Sequence, residues 1–258
     1  MSRYLRESLN EFWAGHTSKL GVIFLAVVIA SSLFTVATMS LDYGTRYWNN
    51  PVYWVDNPKA AKPEWINYFL PEKLLEHSIL SANVPVKSYL SGGYYLKHYS
   101  MTYELSLTQF PTFITLRLEN LTYYEKPPIV KLFIERPDNK TIGLYILTIE
   151  KPLPNENPPY IRYGNEPKRI LLSGETYVAR SLSTFLSEEY GVFMTPSEIM
   201  DIGYEKIIFG NRRTEGDFEP LKGKYIVSVV LYGRNPADKI GKTVFITGGM
   251  VYGLMGTD

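Results

Sequence analysis

The sequence predicts an α+β protein: one N-terminal transmembrane helix followed by a mainly β, sandwich-like extracellular domain with a small helical insertion. Three observations carry this. Leu20–Met39, LGVIFLAVVIASSLFTVATM, contains no charge, no Pro, no Asn and no Gln. Beyond residue 100, apolar and polar residues alternate with period two in several short runs, the pattern of strands with one dry face. Between two blocks of such runs lie two segments with helical spacing and helix-terminating glycines.

The apolar run comes first. At about 1.5 Å per residue it makes a helix of roughly 30 Å, the thickness of the hydrocarbon core of a bilayer. A single segment in lipid must satisfy its own backbone hydrogen bonds, which a helix does. Ser31, Ser32, Thr35 and Thr38 are tolerable there because each hydroxyl can return to a carbonyl one turn back. A cleaved signal peptide is the competing reading. It calls for a shorter apolar core and a small-x-small site, and Ala37-Thr38-Met39 is a poor one.

Residues 1–19 precede the span. Leu5, Leu9, Phe12 and Trp13 share one side at helical spacing, which predicts a short amphipathic helix lying along the membrane surface, ended by Gly15. A disordered tail is the alternative. Arg3, Arg6 and Lys19 stand before the span, against Arg46 and Lys59 after it. The bias puts the N-terminus in the cytoplasm and the large remainder outside.

Residues 20–40 are then the transmembrane helix and 41–70 a juxtamembrane segment dense in amphipathic rings: Tyr43, Tyr47, Trp48, Tyr53, Trp54, Trp65 and Tyr68. Such rings suit the headgroup layer, Tyr43, Tyr47 and Trp48 best because they lie nearest the span; some can equally be core of the next domain. Pro51, Pro58 and Pro63 keep this backbone irregular, with room for a short helix after Pro63.

Residues 71–247 form the extracellular domain. Met101–Leu107, Ile114–Leu118, Val130–Ile134, Thr141–Ile149, Tyr225–Leu231 and Lys242–Thr247 read as strands. Pro137-Asp138-Asn139-Lys140 joins the third and fourth as a hairpin, and Tyr225–Leu231 is apolar enough to be central. Lys151–Lys168, rich in Pro and Asn, reads as an extended loop. One helix follows over about Tyr177–Tyr190, stopped by Gly191. A second is announced by Thr195-Pro196-Ser197-Glu198, a capping box with Pro in the first turn, and stopped by Gly203. Asn120-Leu121-Thr122 and Asn139-Lys140-Thr141 are glycosylation sequons at strand ends or turns.

Composition excludes several classes of function. A net charge of +1 gives no basic footprint for nucleic acid. The absence of cysteine removes disulfides, thiolate metal sites and thiol nucleophiles. His16, His77 and His98 are scattered without ligand spacing. There is no Gly-x-Ser-x-Gly elbow and no Walker phosphate loop, and GGMVYGLMG lacks the spacing of a dinucleotide site. Glu188 and Glu189 point different ways on a helix and read as a solvated face. The chain is therefore expected not to be an enzyme, with no catalytic, cofactor-binding or metal-binding residue and no cofactor. Tyr94, Tyr95, Tyr99, Tyr123 and Tyr124 could form a ligand platform, or could be ordinary packing and loop cover.

The two ends of the chain resemble one family. SLNEFWAGHTSKLGVIFLAVVIA, with its polar lead and Lys19-Leu20-Gly21 step into the span, is similar to the start of the second-type permease subunit of peptide/nickel (dipeptide/oligopeptide) ABC importers. Gly256-Thr257-Asp258 resembles the Gly-Thr-Asp that in this family stands outside the membrane, before a Gly-Arg-Asp and the main transmembrane block. The resemblance covers roughly residues 1–45 and 244–258. The stretch between corresponds to a large extracellular insertion of the kind seen in archaeal members, where typical bacterial members have a short loop.

The resemblance implies an N-terminal portion of a permease, or a subunit split at this point, with residues 248–258 beginning the connection to a permease core. It also implies a second permease subunit, ATP-binding subunits that use the ATP, and an extracellular solute-binding protein, all at a membrane. Its placement and size suggest that the extracellular domain docks or gates the binding protein. The alternative is a complete single-pass protein whose membrane-anchored extracellular β-sandwich binds a ligand or partner.

Overall fold

In a computed structural model, the described residues are 12–40, 42–45, 54–214 and 217–257. The chain divides into two units, Met1–Val55 and Asp56–Asp258.

The first unit is dominated by helix α1, His16–Thr38. It is apolar on every side and none of its residues is buried. It is long and apolar enough to cross a membrane. The four hydroxyls inside it bond as expected: Ser31 and Ser32 donate to the Val28 carbonyl (2.9 and 2.8 Å), Thr35 to Ser31 (2.9 Å) and Thr38 to Phe34 (2.6 Å). The helix starts at His16, not Leu20, because nothing in His16–Lys19 opposes helix. The break lies at Gly15, whose backbone is extended between α1 and a helical turn at 12–14. Most of the expected amphipathic lead, and Tyr47, Trp48 and Tyr53, fall outside the described residues.

The second unit is α+β with mostly antiparallel sheets. Its strands are β1 (Ser78–Ala82), β2 (Lys87–Ser91), β3 (Tyr94–Leu105), β4 (Ile114–Tyr123), β5 (Ile129–Glu135), β6 (Thr141–Thr148), β7 (Tyr160–Arg162), β8 (Lys168–Leu171), β9 (Gly210–Thr214), β10 (Asp217–Pro220), β11 (Gly223–Gly233) and β12 (Lys239–Thr247). One five-stranded sheet has the order β2-β3-β11-β5-β6. The other runs β1-β12-β4-β7, with β8 also on β4; β9 and β10 pair separately. Every strand ladder is antiparallel.

The alternation explains the core. Tyr99, Met101, Tyr103 and Leu105 of β3, Val227, Val229 and Leu231 of β11, and Val130, Leu132 and Ile134 of β5 all point inward. Ile114, Leu116 and Leu118 of β4 join the same buried cluster. At about 1.5–3 kcal/mol for each large apolar side chain removed from water, these rows dominate the stabilisation. β11 has a strand on each side, as its continuous apolar run predicted.

Turn chemistry sets two hairpins. In 136–140 the Asn139 amide donates to the Arg136 carbonyl (3.0 Å) and Arg136 N–H to the Lys140 carbonyl (2.8 Å), joining β5 to β6. Gly92 and Gly93, both at positive φ, form the two-residue turn between β2 and β3, where two consecutive left-handed residues match the strand twist.

Three helices lie between β8 and β9: α2 (Thr176–Tyr190), α3 (Pro196–Ile202) and α4 (Tyr204–Phe209). Gly191, left-handed, ends α2, and Gly203 ends α3. The capping box at α3 is formed: Thr195 Oγ1 accepts from Glu198 N–H (3.4 Å) and Glu198 Oε2 from Thr195 N–H (2.7 Å). The buried side chains Val178, Leu182, Phe185 and Leu186 of α2 join the sheet core.

Several expectations need correction. Lys151–Lys168 is not loop throughout: β7 lies within it, held by β4. The unforeseen β1 and β2 are short edge strands: β2 is exposed throughout, and β1 turns Ile79 outward and Ser78 inward, so neither carries an apolar-inward alternation in its sequence. Residues 56–70, the far part of the expected juxtamembrane segment, and 248–257 also pack within the unit that holds the sheets.

Candidate interaction surfaces

The first segment of the second unit lies beside its last described segment. Asp56 is the first anchor. Its Oδ2 accepts from Arg117 Nη1 (2.6 Å) and Arg169 Nε (3.2 Å). Arg117 on β4 and Arg169 on β8 are directly opposite in register, so the carboxylate separates two facing cations. Glu119 takes the Arg117 Nε–H (2.9 Å).

A ladder follows. Lys62 N–H donates to Met250 O (2.9 Å), Tyr252 N–H to Lys62 O (2.8 Å), Glu64 N–H to Gly253 O (2.8 Å) and Thr257 N–H to Ala61 O (2.8 Å). Side chains reinforce it: Ala61 N–H donates to Thr257 Oγ1 (3.0 Å) and Gly253 N–H to Glu64 Oε1 (2.9 Å). Gly256 must be glycine here. Its φ is +72°, and a Cβ would stand 2.3 Å from the Ala61 carbonyl oxygen. The Gly256-Thr257 pair thus has a local structural task in closing the ladder.

This end of the domain carries a cluster of exposed apolar side chains. Pro63 starts a 3₁₀ turn over Glu64–Tyr68, the short helix that the sequence allowed after it. Trp65 is 49% exposed, Tyr68 87% and Phe69 79%; on the facing segment Leu254 is 84% and Met255 92% exposed. Trp65 Nε1–H donates to the Leu254 carbonyl (3.0 Å), and the Trp65 and Phe69 rings meet edge to face at 6.2 Å. The two segments therefore present one surface.

A groove of about 440 Å3 opens alongside, lined among others by Lys73, Glu76, His77, Tyr103 and Glu104. The His77 ring lies edge-on to Tyr252 at 5.1 Å, and neither of its nitrogens has a hydrogen-bond partner. Burial lowers its pKa, against the raising influence of the Asp56 and Glu64 charges. Packed edge-on against Tyr252, the imidazole forms part of the groove wall. Among the described residues no set of three or more His, Asp and Glu side chains could hold a metal ion.

The five tyrosines do not make one exposed platform: Tyr124 alone is exposed. Tyr99 and Tyr123 are core residues: Tyr99 Oη accepts from Ile240 N–H (2.9 Å), and Tyr123 Oη donates to Glu150 O (2.7 Å). Tyr94 is covered by the Arg234 guanidinium at 3.8 Å, and Tyr95 is half-buried. The sequons Asn120 and Asn139 are exposed, both left-handed; Asn120 lies within β4 and not at its end. Glu188 is exposed, while Glu189 reaches Lys140 (3.1 Å).

The sequence contained no signal for the ladder between 61–64 and 250–257, because backbone pairing between residues so far apart in the chain leaves no periodic trace. No family profile, no curated protein and no solved structure matches this chain.

Proposed function

We propose that the chain is the N-terminal portion of a permease component of an ABC importer for peptides or similar small solutes. In this reading α1 spans the membrane with its N-terminal end in the cytoplasm. The two sheets form a sandwich outside, where the domain docks or gates the solute-binding protein. A second permease subunit and ATP-binding subunits complete the transporter, and the ATP is used by those partners.

One observation carries this reading beyond the resemblance of the chain's ends. Residues 61–64 and 250–257 run side by side. A domain that is entered and left at one place can be inserted into a single loop between two spans without disturbing either. Gly256 and Thr257, the first two residues of the stretch that resembles the family's Gly-Thr-Asp, belong to that closure.

A second reading is a single-pass anchored binding protein. It is favoured by the exposed Val84, Val86, Tyr89 and Leu90 at the β2 edge, an open strand to which a partner could add.

The coding sequence immediately downstream separates the two. Continuation into Gly-Arg-Asp and several further spans is expected; a stop codon with no adjacent permease gene overturns the permease reading. The docking role is tested in the assembled transporter by deleting residues 70–240 and rejoining the ends. Loss of binding-protein docking is expected, and unchanged docking and uptake dispose of that role. Because the chain lacks cysteine, single cysteines at Ser2 and Ser88 report sidedness with a membrane-impermeant maleimide. Labelling of position 88 alone in intact cells is expected.

A further inference from the structure

We propose that Trp65, Tyr68, Phe69, Leu254 and Met255 seat the domain on the headgroup layer of the bilayer that holds α1. This rests on α1 lying in lipid, and adds to it a second, peripheral contact made by the folded domain.

The chemistry of the cluster fits that occupant. Trp and Tyr rings are amphipathic and settle where apolar chains meet water, while Phe, Leu and Met enter the acyl boundary. Five large side chains from two segments stand out together, where scattered exposed apolar residues would need no explanation. The Trp65–Leu254 hydrogen bond and the Trp65–Phe69 contact tie the two segments together, with Tyr68 and Met255 next in the chain to Phe69 and Leu254. Rigid presentation lowers the entropy lost on seating.

Position in the chain selects lipid over another partner. The cluster is borne by the first and last described segments of the domain, and residues 39–55 join α1 to it. With α1 in the membrane, so short a tether keeps the entry end near the surface and raises its effective concentration there. Lys59, Lys62 and Lys73 are exposed in the same region, but so are Glu64 and Glu72. The local charge is nearly balanced, so apolar insertion and not attraction to anionic lipid drives the contact. Zwitterionic lipid suffices, and salt does not release it.

The test uses the full chain in phosphatidylcholine vesicles without any other protein. Single cysteines are introduced by Tyr68→Cys, Leu254→Cys, Tyr89→Cys on β2 and Leu25→Cys on α1, and each is labelled with an environment-sensitive fluorophore. Quenching is read with spin-labelled lipid, one set labelled near the headgroup and one deep in the acyl chains. Probes at 68 and 254 are expected to shift to the blue and lose most of their emission to the headgroup-proximal quencher, at low and high salt alike. The probe at 89 is expected to stay in water. If 25 is quenched by the deep label while 68 and 254 behave like 89, the seating is wrong and the span stands. Quenching of 89 to the same extent also overturns it, since the contact is then unspecific. An unquenched probe at 25 removes the anchor on which the proposal rests.

Discussion

Removing the guanidinium of Arg136 is expected to loosen the helical insertion from the sheets. Arg136 ends the turn-proximal side of β5, and its side chain is fully buried. Nη1 donates to the carbonyls of Ile207 (2.9 Å) and Ile208 (3.2 Å), and Nη2 to that of Gly210 (2.8 Å). These oxygens end α4 and lack intrahelical partners, so a cation there also meets the negative end of the helix. Asp138 receives Nε and Nη2 at 3.2 and 3.1 Å, and the group lies over the Phe185 ring at 5.4 Å.

The magnitude follows from that geometry. Hydrogen bonds to a charged donor contribute about 1.5–3 kcal/mol each, but three from one group do not add, and burying the cation offsets part of them. Asp138 remains partly solvated and contributes little. Arg136→Met, which keeps the length and loses the donors, should therefore cost about 3–5 kcal/mol, the range for orphaning a buried polar set. Arg136→Lys keeps the charge but cannot serve all three carbonyls, and should fall between. Urea unfolding of the full chain in detergent micelles, followed by the tyrosine and tryptophan near-ultraviolet signal, measures both. At ~2–4 °C per kcal/mol, the Met variant should melt on the order of 10 °C lower. A cost under about 1 kcal/mol for Arg136→Met would show that the guanidinium is not what ties α4 to the β5–β6 turn.

The other expectations are simpler. Asp56→Asn leaves Arg117 and Arg169 facing each other without a counter-charge and should cost about 2 kcal/mol in the same unfolding assay; an unchanged midpoint contradicts that role. Gly256→Ala meets both a positive φ and the Ala61 carbonyl, so amide exchange at 61–64 and 250–257 should accelerate by about 1–3 kcal/mol of local stability while the sheet amides stay protected. Thr195→Ala removes one half of the capping box and should cost about 1 kcal/mol, confined to α3. The hydrogen bond from Arg162, and then that from Leu153 N–H, hold the Glu156 carboxyl down at about 2. Its contribution is fully present above the ordinary carboxylate value and is lost as pH falls through about 2. A carbon-13 titration of Glu156 should show that low midpoint, and Arg162→Gln should return it towards about 4.3.

How much was legible depends on where each residue's free energy comes from. The inward rows of β3, β4, β5 and β11 were readable because burial on one face of a pleated strand imposes period two on the chain itself. Thr195, Glu198, Gly191 and Gly203 were readable because a helix end is a local event, satisfied within a turn. Arg136 was not, since an arginine before a Pro-Asp-Asn turn reads as solvated until the carbonyls of 207, 208 and 210 arrive from more than sixty residues away. Asp56 was hidden for the same reason: its partners lie on β4 and β8. β7 and β8 carry no pattern of their own and are strands because β4 offers them an edge.

The sequence by itself settled the uncharged length of α1, the apolar faces of the long strands and the ends of the helices, because these are properties of a few consecutive residues. Tertiary structure alone decided that β12 lies between β1 and β4, that β11 lies between β3 and β5, and that residues 61–64 meet 250–257. Periodicity states which face of a strand must be dry. The neighbour that covers it is chosen by the burial summed over the whole domain, and no local stretch encodes that sum.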